Sequence, residues 1–335
     1  MRYSFLLNKS LIAIFVLFFI LSCKKNQSDI VYSGNDIQQD TTPYLLTLPK
    51  YYPDIPAINQ MKLTNAKVFL GKKLYRETLL SNNGKSCASC HISDQSFSNS
   101  SINSLPHINL IFNTNFLWNG KIYQSGLMSA MLFEVNDFFG THPNNIQTTE
   151  YRELFSKAYG DDNITNQRIA ECLGQYISTL ITGNSKFDKY LRGEVILNEN
   201  EFNGFNIFMT EKGDCFHCHP PPLFTDNQFH NIGLDSTPFL QNGLFDITHN
   251  INDKGKFKTP TLYNLLLTPP YMHDGRFSTL EQVIEHYNSG VKYSPTLDPI
   301  MTKKGLTPKL FLTEQEKSDL VAFLKTLTDS SILNK

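Results

Sequence analysis

Two pentapeptides, Cys87-Ala88-Ser89-Cys90-His91 and Cys215-Phe216-His217-Cys218-His219, each present two thiols and an imidazole at C-x-x-C-H spacing. Thiols so spaced can form thioethers with the vinyl groups of a haem while the adjacent imidazole meets the iron. A structural zinc site needs four ligands around one ion, and a thioredoxin-like dithiol is the other alternative. Histidine follows both pairs directly, so the reading is two covalently bound c-type haems. Cys87, Cys90 and His91 would hold one, and Cys215, Cys218 and His219 the other.

The group opposite each of these histidines decides the chemistry. A haem closed on both faces transfers electrons, whereas one with an open face can bind peroxide. Seven further histidines are available, His107, His142, His217, His230, His249, His273 and His286. Each is by default a surface or outer group rather than a ligand.

These residues need elements to position them. Ala66, Leu70 and Leu74 recur at helical spacing after Thr64, with Val68, Phe69 and Tyr75 widening the apolar face, just before the first motif. Gly71-Lys72-Lys73-Leu74-Tyr75 before Cys87 corresponds to Gly204-Phe205-Asn206-Ile207-Phe208 before Cys215, a weak internal repeat. Thr165 can cap a helix carrying Ile169, Leu173, Tyr176, Ile177 and Leu180 that stops near Gly183. Thr313 and Glu316 form a capping-box pattern ahead of Leu320, Val321, Phe323, Leu324 and Leu327. Strand-like alternation is scarce. The expected fold is all-α and loop-rich, with two cytochrome c-like haem domains packed against each other.

At 335 residues the chain is long enough for two such domains, and a net charge of -1 without a basic stripe excludes a nucleic-acid partner. Met1-Arg2 and Lys9, then the apolar run Leu11 to Leu21, then Ser22-Cys23, make the tripartite pattern of an export signal over residues 1–22. That run is shorter than the ~20 apolar residues that span a bilayer. Cys23 stands where a bacterial lipoprotein carries its lipid, with simple cleavage as the alternative. Periplasmic localisation, tethered if Cys23 is lipidated, follows. Residues 23–59 read as a tether and an extended Pro-rich segment, 60–195 as the N-terminal haem domain, and 196–335 as the C-terminal one. Cys172, alone in an apolar helical pattern, reads as a buried small hydrophobe.

The stretch Phe257-Lys258-Thr259-Pro260-Thr261-Leu262-Tyr263-Asn264, then Leu267-Thr268-Pro269-Pro270-Tyr271-Met272-His273-Asp274-Gly275-Arg276-Phe277 and Thr279-Leu280-Glu281, resembles the bacterial di-haem cytochrome c peroxidase/MauG family. Phe116-Leu117-Trp118-Asn119-Gly120-Lys121 is similar to that family's F-W-D-G-R, and the resemblance covers nearly all of the mature chain. It implies a peroxidatic N-terminal haem, an electron-transfer C-terminal haem and a tryptophan between them, which Trp118 matches. The plain alternative for Trp118 is a core aromatic. The resemblance also implies a second axial ligand for the C-terminal haem at Tyr287, with Met272 and His286 as alternatives.

At the N-terminal haem the chain departs from the family pattern. An ungapped count from Trp118 puts Phe138 where the family has a distal glutamate and Met128 where it has a glutamine. Glu134 and Asp137 are the carboxyls close enough in sequence to move the proton instead. The loop from His91 to Trp118 is shorter than in most relatives, and His107 is either a sixth ligand or part of a packed segment. Asn103, Thr268 and Pro270 match positions whose oxygens bind an interdomain calcium ion in the family. The implied function is reduction of hydrogen peroxide to water by an exported enzyme, with electrons from a small donor protein such as a cytochrome c or cupredoxin. MauG-like oxidation of a partner protein and non-enzymatic electron transfer are the alternatives.

Overall fold

Side-chain caps start the helices that frame both motifs. In the computed structural model, which describes residues 37–302 and 310–335, Thr64 accepts from the amide of Lys67 and Thr165 from that of Arg168. Thr313 and Glu316 close a reciprocal capping box, as Thr279 and Gln282 also do. Each such cap satisfies amides left without partners at a helix start. The export signal and Cys23 lie outside the described residues.

The described α-helices are α1 (Asn65–Leu74), α2 (Cys87–Cys90), α3 (Leu127–Phe133), α4 (Thr149–Tyr159), α5 (Asn166–Ile177), α6 (Lys186–Leu191), α7 (Glu199–Phe208), α8 (Phe245–Thr248), α9 (Leu280–Glu285) and α10 (Glu314–Lys325). Among the described residues sheet is confined to two residues each of β1 (Phe229–His230) and β2 (Phe257–Lys258), antiparallel with Phe229 opposite Lys258. The helix-rich, sheet-poor fold agrees with the sequence reading. Helix α5 ends at Ile177 rather than near Gly183, and Phe69 is 60% exposed, so it lies off the buried face of α1. No described helix is long and apolar enough to cross a membrane.

The weak repeat is a structural one. Helix α1 packs on α5, and α7 on α10. A Cβ added at Gly71 would lie 1.9 Å from the carbonyl oxygen of Cys172 and 2.9 Å from the Cβ of Tyr176. One added at Gly204 would lie 1.9 Å from the carbonyl oxygen of Asp319 and 2.9 Å from the Cβ of Phe323. Only glycine lets these backbones approach so closely. Four residues past Tyr176 and Phe323, the carbonyls of Leu180 and Leu327 accept from the amides of Asn109 and Asn264. Both asparagines are left-handed and begin a 3₁₀ turn.

A second pair of segments repeats as well. Phe116 pairs with Ile122 and Tyr271 with Phe277 across tight loops, with left-handed Leu117 and Gly120 in one and Met272 and Gly275 in the other. Trp118 in the first loop therefore corresponds to His273 in the second. All of these elements belong to one packed unit over Ile37–Lys335.

Candidate haem sites

Two cavities lie at the motifs, one of about 220 Å³ at the second, walled in part by Phe208 of α7 and Leu320 and Leu324 of α10, and one of about 250 Å³ at the first, walled in part by Ala130 and Met131 of α3. Cys215, Cys218 and His219 line the former, and His91 lines the latter. The five described cysteines carry no disulfide, so the four motif thiols are available for thioethers.

Both motif imidazoles are oriented in the same way. His91 Nδ1 meets the carbonyl of Phe97 at 3.0 Å, and His219 Nδ1 meets that of Phe224 at 2.9 Å. A carbonyl can only accept, so each Nδ1 carries the proton and each Nε2 keeps a lone pair for iron. Burial lowers both histidines to about 4 against the partial opposition of these hydrogen bonds, which keeps the rings neutral. Phe97 and Phe224 are fully buried and left-handed, with φ of 56° and 53°. Bulky residues rarely adopt that conformation, so the surrounding packing must hold it.

Trp118, Lys258 and Pro260 line both cavities. The indole Nε1 donates to the carbonyl of Asn103 at 3.1 Å, and the Asn103 amide donates to the carbonyls of Met272 and His273 at 2.8 and 3.1 Å. Asn103 thus straps the Trp118 loop to the Met272 loop. Pro270 flanks the same point, since both it and Asn103 border Gly275, while the Thr268 hydroxyl bonds back to the Asn264 carbonyl. Lys258 is 4% exposed and is the one Lys or Arg lining either cavity among the described residues. Its amide donates to the Trp118 carbonyl and its Nζ to the Thr259 carbonyl, and burial lowers its amine to about 8 against the attraction of Asp226.

Beyond α3 the helix loosens into a π turn over Glu134–Phe138, and beyond α9 into another over His286–Gly290. Such turns insert a residue per turn and re-aim side chains, often at functional sites. Glu134, first in one turn, lines the His91 cavity, and burial raises its carboxyl to about 7 despite Lys121. Asp137 is exposed and Phe138 is 60% exposed, so of the two carboxyls considered only Glu134 faces the cavity. Tyr287, second in the other turn, lines the His219 cavity, and burial raises its phenol. Met272 lines that cavity too, whereas His286 Nε2 is engaged by the carbonyl of Ile232 at 3.0 Å.

His107 lies flat against His91, with ring centroids 3.4 Å apart and planes 16° from parallel. The two rings face each other flat rather than pointing their nitrogens at a common centre. His230, which sequence reasoning left among the unassigned histidines, lines the His219 cavity between Asp226 and Asp298 at 2.7 and 2.5 Å. Burial alone would lower its ring, but the two carboxylates outweigh that and push it up to about 12.

Paired thiols, neutral imidazoles that carry their proton on Nδ1, and a buried cation between the cavities suited to carboxylate side chains together fit two c-type haems. Comparison with known proteins agrees. A family profile described as di-haem cytochrome c peroxidase matches residues 65–195. The chain is 33% identical over 301 residues to methylamine utilization protein MauG of Methylophilus methylotrophus, covering 84% of this chain and 88% of that one. It is 32% identical to cytochrome c551 peroxidase of Nitrosomonas europaea, covering 77% and 79%. The crystal structure of a MauG-like protein associated with microbial copper homeostasis superposes with a TM-score of 0.77 at 30% identity, covering 87% of this chain and 97% of that one. With the motifs, the cavities and these likenesses in accord, the chain belongs to the di-haem cytochrome c peroxidase/MauG family of haem-dependent oxidoreductases.

Proposed function

We propose that this chain is an exported di-haem peroxidase that reduces hydrogen peroxide to water with electrons from a small donor protein, a cytochrome c or cupredoxin. The observation that carries the reading is the cavity-facing carboxyl of Glu134, held near neutrality beside the His91 site. Residues 60–195 form the peroxidatic domain and 196–335 the electron-transfer domain. Held through Cys87, Cys90, Cys215 and Cys218, the haems supply redox chemistry that side chains cannot.

The chain's own residues do the rest. His91 and His219 each offer Nε2 to an iron, and Tyr287 is the second ligand at the C-terminal one. Glu134 moves a proton from one peroxide oxygen to the other, so that the second leaves as water. Trp118 offers a polarisable indole along the path from the His219 cavity to the His91 cavity. Asn103, Thr268 and Pro270 are proposed as oxygen donors to a calcium ion, and Cys23 as the site of a lipid tether in the periplasm.

A second reading is favoured by Tyr287 in the His219 cavity and by the likeness to MauG proteins. In it a side chain of a partner protein replaces the small donor as the reductant of peroxide. The test is peroxide-dependent oxidation of a reduced cytochrome by wild type and Glu134→Gln. Turnover that the variant loses supports the peroxidase. A mass change in a co-purifying protein on peroxide addition, without cytochrome oxidation, supports the second reading. Neither activity would leave a di-haem electron carrier.

A further inference from the structure

One imidazole at the first site has no counterpart at the second. His107 covers a face of the His91 ring, and Tyr75 fixes His107 in turn, its hydroxyl 3.1 Å from His107 Nδ1. The same hydroxyl lies 3.3 Å from the carbonyl of His91. The Phe97 carbonyl accepts both His91 Nδ1 and the backbone amide of His107, each at 3.0 Å. The hydroxyl thus links the His107 ring to the His91 backbone, and the carbonyl links the His91 ring to the His107 backbone.

The internal repeat isolates this arrangement. Tyr75 stands four residues after Gly71, and the residue four after Gly204 is Phe208, which lacks the hydroxyl. Among the described residues no aromatic ring stacks on His219, whose Nδ1 contact with Phe224 is otherwise the same as that of His91.

We infer that His107 is a positioning residue for the proximal imidazole of the N-terminal haem, locked in place by Tyr75. The inference rests on His91 being an iron ligand. A flat ring against His91 blocks rotation about its Cβ–Cγ bond, and the plane of an axial imidazole affects its overlap with iron. Outer partners that orient a ligand tune the metal as well as hold it. The firm fifth ligand lies at the site where the sixth position must admit peroxide.

The test uses the full-length holoprotein with haem counted by pyridine haemochrome. Resonance Raman of the iron–imidazole stretch and a redox titration are compared for wild type, His107→Ala, His107→Phe and Tyr75→Phe. His107→Ala should shift the stretch and the potential of one haem and leave the other alone, with peroxide turnover lower by roughly 10–100-fold. His107→Phe, which restores a flat ring, should recover most of the wild-type stretch, and Tyr75→Phe should shift it less than His107→Ala. An unchanged stretch and potential in His107→Ala with both haems bound would overturn the inference. So would conversion of a low-spin haem to high spin, which would make His107 a ligand. If His107→Ala loses haem, an unchanged stretch in Tyr75→Phe overturns it. Fewer than two haems in wild type would instead defeat the haem reading, and this inference with it.

Discussion

Around His91 the protein sets a half-buried carboxyl, Glu134, and a second imidazole, His107; around His219 it sets a phenol, Tyr287, and an imidazole clamped by two carboxylates, His230. The frames beneath these groups are alike. Each half crosses a glycine-bearing helix with a later one, hangs its motif histidine on the carbonyl of a left-handed phenylalanine, and ends a short helix in a π turn that aims one residue at the cavity. The shared frame positions the two C-x-x-C-H motifs, and the residues that break the repeat distinguish the two cavities. Trp118 is one such break, since its counterpart His273 stacks on Phe257 at 3.4 Å and lines one cavity rather than both.

Removing attachment should have the largest effect, and it should be equal in the two halves. Cys87→Ala with Cys90→Ala, and Cys215→Ala with Cys218→Ala, should each leave one haem per chain by pyridine haemochrome. A pair whose loss costs no haem would show that the halves differ in attachment after all.

Glu134→Gln should strike one half alone. Both haems stay, and peroxide turnover falls by roughly 10²–10⁴-fold, the range for a lost general acid–base group. In the proposed role the carboxyl accepts a proton first, so wild-type turnover should decline as pH falls through about 7 and the variant should lose that limb. The sign for stability is opposite. A carboxyl raised from 4.5 to about 7 disfavours folding progressively as pH rises through that window. The variant should therefore melt higher than wild type above pH 7, and a variant that is inactive and also less stable would point to structural damage.

Smaller effects should reveal the shared frame. Gly71→Ala and Gly204→Ala each drive a methyl to 1.9 Å from a backbone carbonyl, so each should destabilise by at least about 1–3 kcal/mol in denaturant unfolding. If one is neutral, the two crossings are not equivalent.

Much of this was legible in the sequence because it depends on residue type and spacing. The motifs, the caps at Thr165 and Thr313, and the Gly71/Gly204 repeat all belong to that class. What escaped depends on backbone conformation or distant packing. Nothing in the side chains of Phe97 or Phe224 announces a left-handed backbone. An ungapped count from Trp118 fell on Phe138, which is exposed, and which of Glu134 and Asp137 faces the cavity depends on the backbone of the π turn after Phe133, which no local pattern encodes. His107 meets His91 across fifteen intervening residues, a contact that no local pattern encodes. Lys258 sat in a recognised motif, yet only the fold shows it buried between the two cavities.

The central claim is that one frame carries two unlike haems, open at His91 and closed at His219. The most direct measurement is electron paramagnetic resonance of the purified ferric protein, with Tyr287→Phe beside it. The account predicts one high-spin and one low-spin haem in equal amounts, with the low-spin signal altered in Tyr287→Phe and the high-spin signal unchanged. Two low-spin haems in the wild type, or a low-spin signal indifferent to Tyr287, would contradict it.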